Sequence, residues 1–202
     1  MSEATGTTPR VFPKDWLTPG ADGPAGDLDL VVVLLNSHDL LADPADRLTD
    51  LAWLRAALRQ AGHTDLARGL RAGDVARLRT LRGELRAVVE TDDLATAIAR
   101  LNRLLERGRA LPLLVAGPDR PRLAVAPGRG GYDALAARLP AALAVHVAEH
   151  GLDRLGVCAS DPCRCFFVDR TRGASRRYCC GWCNDRRAAR AYRRRRSRGL
   201  DR

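Results

Sequence analysis

Six cysteines lie between residues 158 and 183 of the 202-residue chain. Four of them form two pairs, Cys158 with Cys163 and Cys179 with Cys183, and residues 164–178 separate the pairs. Two closely spaced pairs on either side of such a loop supply the four thiolates of a tetrahedral structural zinc site. In a reducing compartment, clustered cysteines are metal ligands more often than disulfides. The spacing therefore predicts that these four cysteines hold a structural zinc ion.

Two further cysteines leave other chemistry open. Cys165 follows Cys163 by two positions, and Cys180-Gly-Trp-Cys183 resembles the active site of a thioredoxin-like redox protein. That redox motif normally follows a strand inside a βαβ unit, whereas here it follows Ser175-Arg-Arg-Tyr178. A redox pair and an iron–sulfur cluster stay as alternatives, but we interpret Cys165 and Cys180 as spare thiols beside a zinc site.

The positive charge of the chain is concentrated beside these cysteines. The whole sequence has a formal net charge of +10, and only Lys14 among its 34 basic residues is a lysine. Residues 157–202 contain 14 arginines against four acidic residues, so this segment carries the entire net charge. A block of like charge commonly binds a polyanion, although a solvated basic tail has the same composition. The preference for arginine over lysine is also typical of GC-rich bacterial coding sequences.

The sequence after Cys183 predicts an arginine-rich helix. Alanine and arginine are strong helix formers, Asn184 or Asp185 can cap the start, and we expect Tyr192 to pack back on the zinc module. Because like charges four residues apart repel each other on a helix, phosphates are the natural counter-charge. The arginines predicted to contact nucleic acid are Arg176, Arg177, Arg186, Arg187, Arg190, Arg193, Arg194 and Arg198. These contacts favour DNA, with RNA or an acidic protein surface as alternatives, and they indicate little about base sequence.

The preceding residues must position this module, and their pattern predicts a mainly helical body. Residues 1–26 contain four prolines and are expected to form a flexible leader. The apolar stretch 27–36 permits a strand or a buried helix, because periodicity does not distinguish them in so short a run. Asp43-Pro44 has the residues of a helix start, and this helix is expected to continue to Gly62. Its apolar residues at helical spacing are Leu48, Leu51, Leu54 and Leu58.

Three more helices and a hairpin complete the predicted body. Asp74 opens one helix, whose inner face is expected to be Val75, Leu78, Leu81, Leu85 and Val88. Asp92 or Asp93 caps the next, which ends near Gly108 and turns inward Leu94, Ile98, Leu101, Leu104 and Leu105. Runs 111–116 and 122–126 flank Gly117-Pro118-Asp119 and predict a β-hairpin, and residues 132–150 predict a last helix that ends at Gly151. Within the zinc module, residues 166–173 predict a small hairpin that turns at Gly173.

The predicted fold class is therefore α+β, with a mainly helical body, a small β-hairpin and a C-terminal four-cysteine zinc module ending in a basic helix. In the body, Asn36, Ser37 and His38 either face a ligand pocket or, as we favour, cap the first apolar stretch. His146 and His150 lie four residues apart on the last helix, but no third metal ligand is paired with them. Because no catalytic triad order, phosphate loop or dinucleotide fingerprint occurs, we expect no catalytic residues and no enzyme.

In chain order, these motifs resemble a known family. The CGNR-type zinc finger has a similar pattern of cysteines, the Phe166-Phe167-Val168-Asp169-x-Thr171 stretch, Gly173-x-Ser175-Arg176-Arg177-Tyr178-Cys179, and a last cysteine that opens a basic helix. In that family the finger ends a protein whose N-terminal part is an ABATE domain, and the body here is similar in layout, including its Leu101-Asn102-x-Leu104-Leu105 motif. The chain departs from the family at Asn184-Asp185-Arg186, which stands where the family has Gly-Asn-Arg.

The resemblance implies a domain organisation and a function. After the leader over 1–26, it implies a helical ABATE-like domain over 27–151 and a CGNR-like zinc finger with its arginine-rich helix over 152–202. The expected function is a zinc-binding, DNA-binding bacterial transcription regulator, whose body senses a signal, forms a homodimer or binds other proteins. The alternatives are an adaptor that docks its basic finger on an acidic protein partner, and RNA binding. Without an apolar run near the ~18 residues of a membrane span or a signal-peptide core, we expect a cytoplasmic, nucleoid-associated protein.

Overall fold

The computed structural model describes residues 12–13, 16–17, 24–117, 120–125 and 130–200, without the side chains of residues 24, 25, 194 and 198–200. The helices in this part of the chain are α1 (Pro24–Leu35), α2 (Ala52–Gln60), α3 (Thr64–Gly69), α4 (Asp74–Val89), α5 (Leu94–Gly108), α6 (Gly131–His150) and α7 (Gly181–Leu200). The strands are β1 (Pro112–Val115), β2 (Arg122–Val125), β3 (Leu155–Val157) and β4 (Phe166–Val168). The predicted fold class is confirmed. None of the described helices combines the length and the hydropathy that crossing a membrane requires.

Helix α1 lies at the centre of the body and settles the choice between strand and helix. Every residue from Leu28 to Leu35 is at most 7% exposed, because α2, α4, α6 and β4 pack around the helix. A helix covered on all sides has no polar face and therefore lacks the periodicity of a surface helix. Its two acidic residues, Asp27 and Asp29, form ion pairs with Arg138 and Arg170, and these pairs offset the burial of the carboxylates.

The helix predicted to start at Asp43-Pro44 begins instead at Ala52, so that prediction was wrong. Residues 37–51 form a loop in which three aspartates each accept a hydrogen bond from the backbone amide two residues further on. These aspartates are Asp39, Asp46 and Asp50. Such bonds stabilise turns at the expense of helix. The four leucines at helical spacing are nevertheless all buried, two in the loop and two in α2.

Helices α4 and α5 begin where the sequence predicts. Asp93 caps α5 by accepting hydrogen bonds from the amides of Ala95 and Thr96. The predicted inner face of α5 was wrong at Leu94 and Ile98, which are each 45% exposed. The buried face of α5 is formed instead by Ala97, Leu101, Leu104 and Gly108. The short helix α3 was not predicted.

Close contact between α5 and α6 depends on a glycine. A Cβ atom on Gly108 of α5 would lie 2.2 Å from the carbonyl oxygen of Ala136 in α6. Since no side chain fits at this point, α5 lies directly against the backbone of α6. Helix α6 in turn packs along α1 and continues into the cysteine-bearing module.

The first hairpin is confirmed and the second is formed differently from the prediction. Strands β1 and β2 pair antiparallel from Pro112 opposite Val125 to Val115 opposite Arg122, and the predicted turn residues Pro118 and Asp119 lie outside the described residues. In the cysteine module, β4 pairs with β3, not with residues near Gly173. Strand β4 is apolar, and it is buried because β3 pairs with one edge and α1 packs against one side. The predicted partner, segment 170–175, is exposed and could not cover it in this way.

Most of the segment predicted as a leader lies outside the described residues. Two of its aromatic side chains, Phe12 and Trp16, are each 3% exposed and stack with ring centroids 5.6 Å apart. The carbonyl of Phe12 accepts a hydrogen bond from the side chain of Gln60 at the end of α2. These two residues therefore belong to the core of the body.

Candidate metal centre and basic helix

The structure brings together the cysteines of the two predicted pairs. Cys158, Cys163, Cys179 and Cys183 are at most 5% exposed, and their sulfur atoms all lie within 4.8 Å of one another. The Sγ atom of Cys179 lies 3.8 Å from that of Cys163 and 3.7 Å from that of Cys183. Four sulfurs placed ~2.3 Å from a zinc ion stand about 3.8 Å apart in a regular tetrahedron. The cluster therefore has the donor set and the size of a tetrahedral metal site, and zinc fits it.

Backbone hydrogen bonds position the sulfur atoms. Cys158 and Cys163 lie in the turn between β3 and β4, where their amides donate to the carbonyls of Cys165 and Ser160, each at 2.9 Å. Across the cluster, the amide of Cys179 donates to Sγ of Cys158 at 3.4 Å. A hydrogen bond donated to sulfur favours its charged thiolate form. The backbone is thus arranged for thiolate ligands.

The pKa values of neighbouring thiols in the cluster are shifted in opposite directions. Hydrogen bonds with Cys158, Cys165 and Cys179 hold the pKa of Cys163 far below that of a free thiol. Hydrogen bonds with Cys158, Cys163, Cys165 and Cys180 raise the pKa of Cys179 far above that of a free thiol, because its proton is shared with an adjacent thiolate. Negative charges this close together repel strongly. A divalent metal ion bound among the four sulfurs would offset this repulsion and favour the loss of all their protons.

Cys165 and Cys180 lie beside the four-sulfur cluster. Cys165 is 2% exposed and forms a second small group with Asp39 and Cys163. The Sγ atom of Cys180 lies 3.9 Å from that of Cys179, and this contact lowers the pKa of Cys180 to about 6. Both thiols touch metal-ligand candidates, but neither is needed to complete a tetrahedron.

Asp169 stabilises the loop that leads from β4 to the second cysteine pair. Its carboxylate accepts hydrogen bonds from the amide and hydroxyl of Thr171 and from the amide of Arg176, at distances of 2.8, 2.6 and 2.7 Å. Burial raises the pKa of Asp169, but these hydrogen bonds outweigh it and the net shift is downward. The Thr171 hydroxyl also accepts a hydrogen bond from the backbone amide of Ser175 at 3.0 Å. The Asp-x-Thr and Ser positions of the motif therefore have a structural role.

Arg186 and Arg190, both predicted to contact nucleic acid, fasten α7 to the turn of the first cysteine pair. Arg186 donates to the carbonyls of Ser160 and Asp161, each at 2.7 Å. Arg190 donates to the same Asp161 carbonyl at 2.6 Å. Because Cys183 lies in the first turn of α7, these bonds hold the helix at the metal centre.

Arg176 also has partners inside the module. Its guanidinium donates to the carbonyls of Tyr178 and Cys179 and lies 5.2 Å from the ring centroid of Phe167. Arg176 is half-buried, whereas its neighbour Arg177 is exposed. The two adjacent arginines therefore face different surroundings, which a sequence pattern does not distinguish.

Other arginines on α7, and one in the loop before it, are exposed. Of the predicted set, Arg190 is exposed although it bonds to the Asp161 carbonyl. Arg177, Arg187 and Arg193 are also exposed, and the side chains of Arg194 and Arg198 lie outside the described part of the chain. Two exposed arginines were missed, because only one side of the helix was considered. We define the arginine surface as Arg177, Arg187, Arg193, Arg195 and Arg196.

The aromatic residues of α7 also lie on its surface. Tyr192 was expected to pack against the module, and this was wrong, since its side chain is 57% exposed. Trp182 is 60% exposed and has the guanidinium of Arg186 5.3 Å from its ring centroid. Helix α7 begins at Gly181, three residues before Asn184, the first of the two predicted caps. The first turn thus includes Trp182 and the last cysteine of the cluster.

Asn36 joins the body to the metal module. Its fully buried carboxamide donates from Nδ2 to the Phe166 carbonyl at 2.8 Å and accepts the Phe166 amide on Oδ1 at 2.7 Å. The neighbouring Ser37 hydroxyl donates to the carbonyl of Leu34 and accepts from Arg82. The Ser37 side chain thus caps the end of α1, as we favoured, whereas the Asn36 side chain pairs with the outer edge of β4. Sequence reasoning missed this pairing because the partner of Asn36 is 130 residues away.

The two histidines of α6 contact each other without forming a metal site with any third described ligand. The rings of His146 and His150 lie with centroids 4.9 Å apart. Among the described residues, neither belongs to a group of three or more side chains placed to hold a metal ion. His146 is buried and His150 is exposed.

Comparison with known proteins agrees with this two-part arrangement. The model of the ABATE family, described as "Putative stress-induced transcription regulator", matches residues 28–156. The model of the CGNR zinc finger matches residues 154–196. No curated protein matches the chain. The chain belongs to the ABATE family and carries a CGNR zinc finger after its ABATE domain.

Proposed function

We propose that this protein is a zinc-dependent DNA-binding transcription regulator. The observation that carries the proposal is the arginine surface, which lies on α7 and on the loop just before Cys179, next to the four-cysteine centre. Among the residues that the structure describes, no acidic side chain forms an ion pair with these arginines. DNA phosphates would supply the counter-charge, and the release of condensed cations makes binding favourable. The regulatory role is supported by the description of the ABATE family.

The zinc ion has an indirect role in this proposal. Helix α7 has 20 residues and is therefore about 30 Å long. Repulsion among its arginines destabilises it as an isolated helix. Metal ligation at Cys183, together with the bonds of Arg186 and Arg190, fixes about its first three turns. Loss of the metal is expected to release the helix and to weaken DNA binding.

A second candidate is binding of RNA or other unpaired nucleic acid. Trp182 and Tyr192 are exposed aromatic side chains among the arginines, and unpaired bases stack on such residues. We favour duplex DNA because one face of Trp182 is already in contact with the guanidinium of Arg186. The arginine surface provides affinity without indicating a particular base sequence.

Binding of the full-length, zinc-loaded protein to fluorescently labelled ligands tests the proposal. The ligands are duplex DNA, single-stranded DNA, an RNA hairpin and polyglutamate, each titrated at several salt concentrations. With five arginines on phosphates, the logarithm of the DNA association constant is expected to fall with log salt at a slope of about −4 to −5. Tighter binding to the single-stranded ligands selects the second candidate. Equal binding to polyglutamate and DNA contradicts both and favours an acidic protein partner.

Paired substitutions separate specific phosphate contacts from general charge. Arg187→Gln and Arg193→Gln are each expected to weaken DNA binding and to reduce the size of the salt slope by about 1. Arg103→Gln, at an exposed position of α5, is the matched control and is expected to leave the slope unchanged. Equal losses in all three variants would show that α7 is not the binding element.

A further inference from the structure

A cavity of about 660 Å³ lies between the ABATE body and the zinc finger. One wall is apolar and is formed by Leu28 of α1 together with Ala142 and Val145 of α6. The opposite wall is formed by residues 168–172, which belong to β4 and the loop after it. Cavities that bind small molecules have volumes of roughly 300–1,000 Å³. The space is therefore suited to a small ligand that touches both parts of the chain.

His146 contributes to the lining of this cavity. Its side chain is 7% exposed, and its Nε2 atom is fully buried, so other atoms of the side chain border the cavity. Burial, followed by the nearby His150, Arg170 and Arg154, lowers the pKa of His146 to about 4. The ring is therefore neutral near pH 7 and adds no positive charge to the cavity.

Guanidinium groups border the cavity on the zinc-finger side. Arg154 donates to the carbonyl of Thr171, and Arg170 pairs with the buried Asp29, so both heads are held in place. Arg172 lines the same wall and is exposed. The lining also contains two carboxylates, Glu149 and Asp169, which oppose the binding of a ligand with more than one negative charge. The arrangement favours a ligand with a single anionic group.

We infer that this cavity binds a small organic anion, a carboxylate with an apolar body. The carboxylate pairs with Arg172 and Arg154, and the apolar body covers Leu28 and Val145 and lies against the His146 side chain. Because the two walls belong to different domains, the ligand holds the finger against the body. Ligand binding and the stability of this contact are therefore linked.

Calorimetric titration of the zinc-loaded full chain tests the inference in the absence of nucleic acid, so its outcome is independent of the proposed function. The probes are benzoate and hexanoate, with benzamide and inorganic phosphate as neutral and purely anionic controls. We expect both carboxylates to bind once per chain and to shift the NMR signals of the His146 ring. The controls are expected to bind at least about tenfold more weakly. Absence of carboxylate binding, or equal binding of phosphate, overturns the inference.

Three variants locate the site. Arg172→Gln is expected to weaken carboxylate binding about tenfold, because it removes a charge-assisted hydrogen bond. Val145→Trp fills the cavity from a position that is 43% exposed, and it is expected to abolish binding without disturbing the core. Arg177→Gln, an exposed arginine of the same module outside the cavity, is the matched control. If Arg172→Gln and Arg177→Gln weaken carboxylate binding equally, the binding reflects general charge attraction and the assignment is overturned.

Discussion

Replacing Asn36 by alanine tests how the zinc finger is attached to the body. The substitution removes both partners of the Phe166 backbone at the outer edge of β4. Phe166 is 1% exposed and Asn36 is fully buried, so water does not readily replace the lost carboxamide. Each unsatisfied backbone group costs about 1–3 kcal/mol, and we expect a total loss of about 3–4 kcal/mol. That is a large fraction of the roughly 5–15 kcal/mol by which a domain is stable.

Urea unfolding of the zinc-loaded protein, followed by circular dichroism, measures this loss. The control is Asn102→Ala, the same substitution at an exposed position of α5, which is expected to change the free energy of unfolding by less than about 0.5 kcal/mol. We also expect a chelator to remove zinc faster from the Asn36→Ala protein, because β4 leads directly from the first cysteine pair. A loss below about 1 kcal/mol for Asn36→Ala would refute the reasoning, because the Phe166 groups would then find other partners.

Other substitutions test the helix anchor, an ion pair and a close contact. Arg186→Gln removes the bonds from α7 to the turn of the first cysteine pair and is expected to accelerate zinc loss to a chelator; an unchanged rate would contradict the anchoring role. The hydrogen bond from Arg82 lowers the pKa of Asp46 to about 2, so its stabilisation is present above pH ~4 and lost as pH falls towards 2. Acid titration of Asp46→Asn should therefore show a shallower loss of stability than the native protein over that range. Gly108→Ala is expected to destabilise by more than about 2 kcal/mol because its Cβ meets a backbone oxygen. Gly83→Ala, where nothing lies within 4 Å, is expected to stabilise by roughly 0.5–1 kcal/mol.

The metal centre could be predicted because its information is local. The spacing within each cysteine pair is set by one tight turn, and the intervening loop is short enough for the two pairs to meet. The localised charge was equally visible, since it depends only on counting arginines. What the sequence did not reveal is which arginines face inward. Arg186 and Arg190 bond to backbone carbonyls some 25 residues earlier, and the pattern along α7 carries no record of those carbonyls.

The body was harder to predict where tertiary contacts override local pattern. Helix α1 is buried on every side, so the periodicity that distinguishes a helix from a strand is absent. The loop before α2 has a convincing helix start at Asp43-Pro44, but aspartate side chains that bond the backbone stabilise turns instead. On α5, the small residues Ala97 and Gly108 determine the packed face, and the larger Leu94 and Ile98 are left exposed.

The central claim is that zinc orders a basic helix that binds DNA. Its most direct test is the dissociation constant of the full-length protein for duplex DNA, measured by fluorescence anisotropy before chelation, after chelation and after zinc is restored. We expect the zinc-loaded protein to bind at least about tenfold more tightly than the chelated protein, and the affinity to return with zinc. Equal affinity in all three states would contradict the claim, because the arginines would then act as an unstructured basic tail.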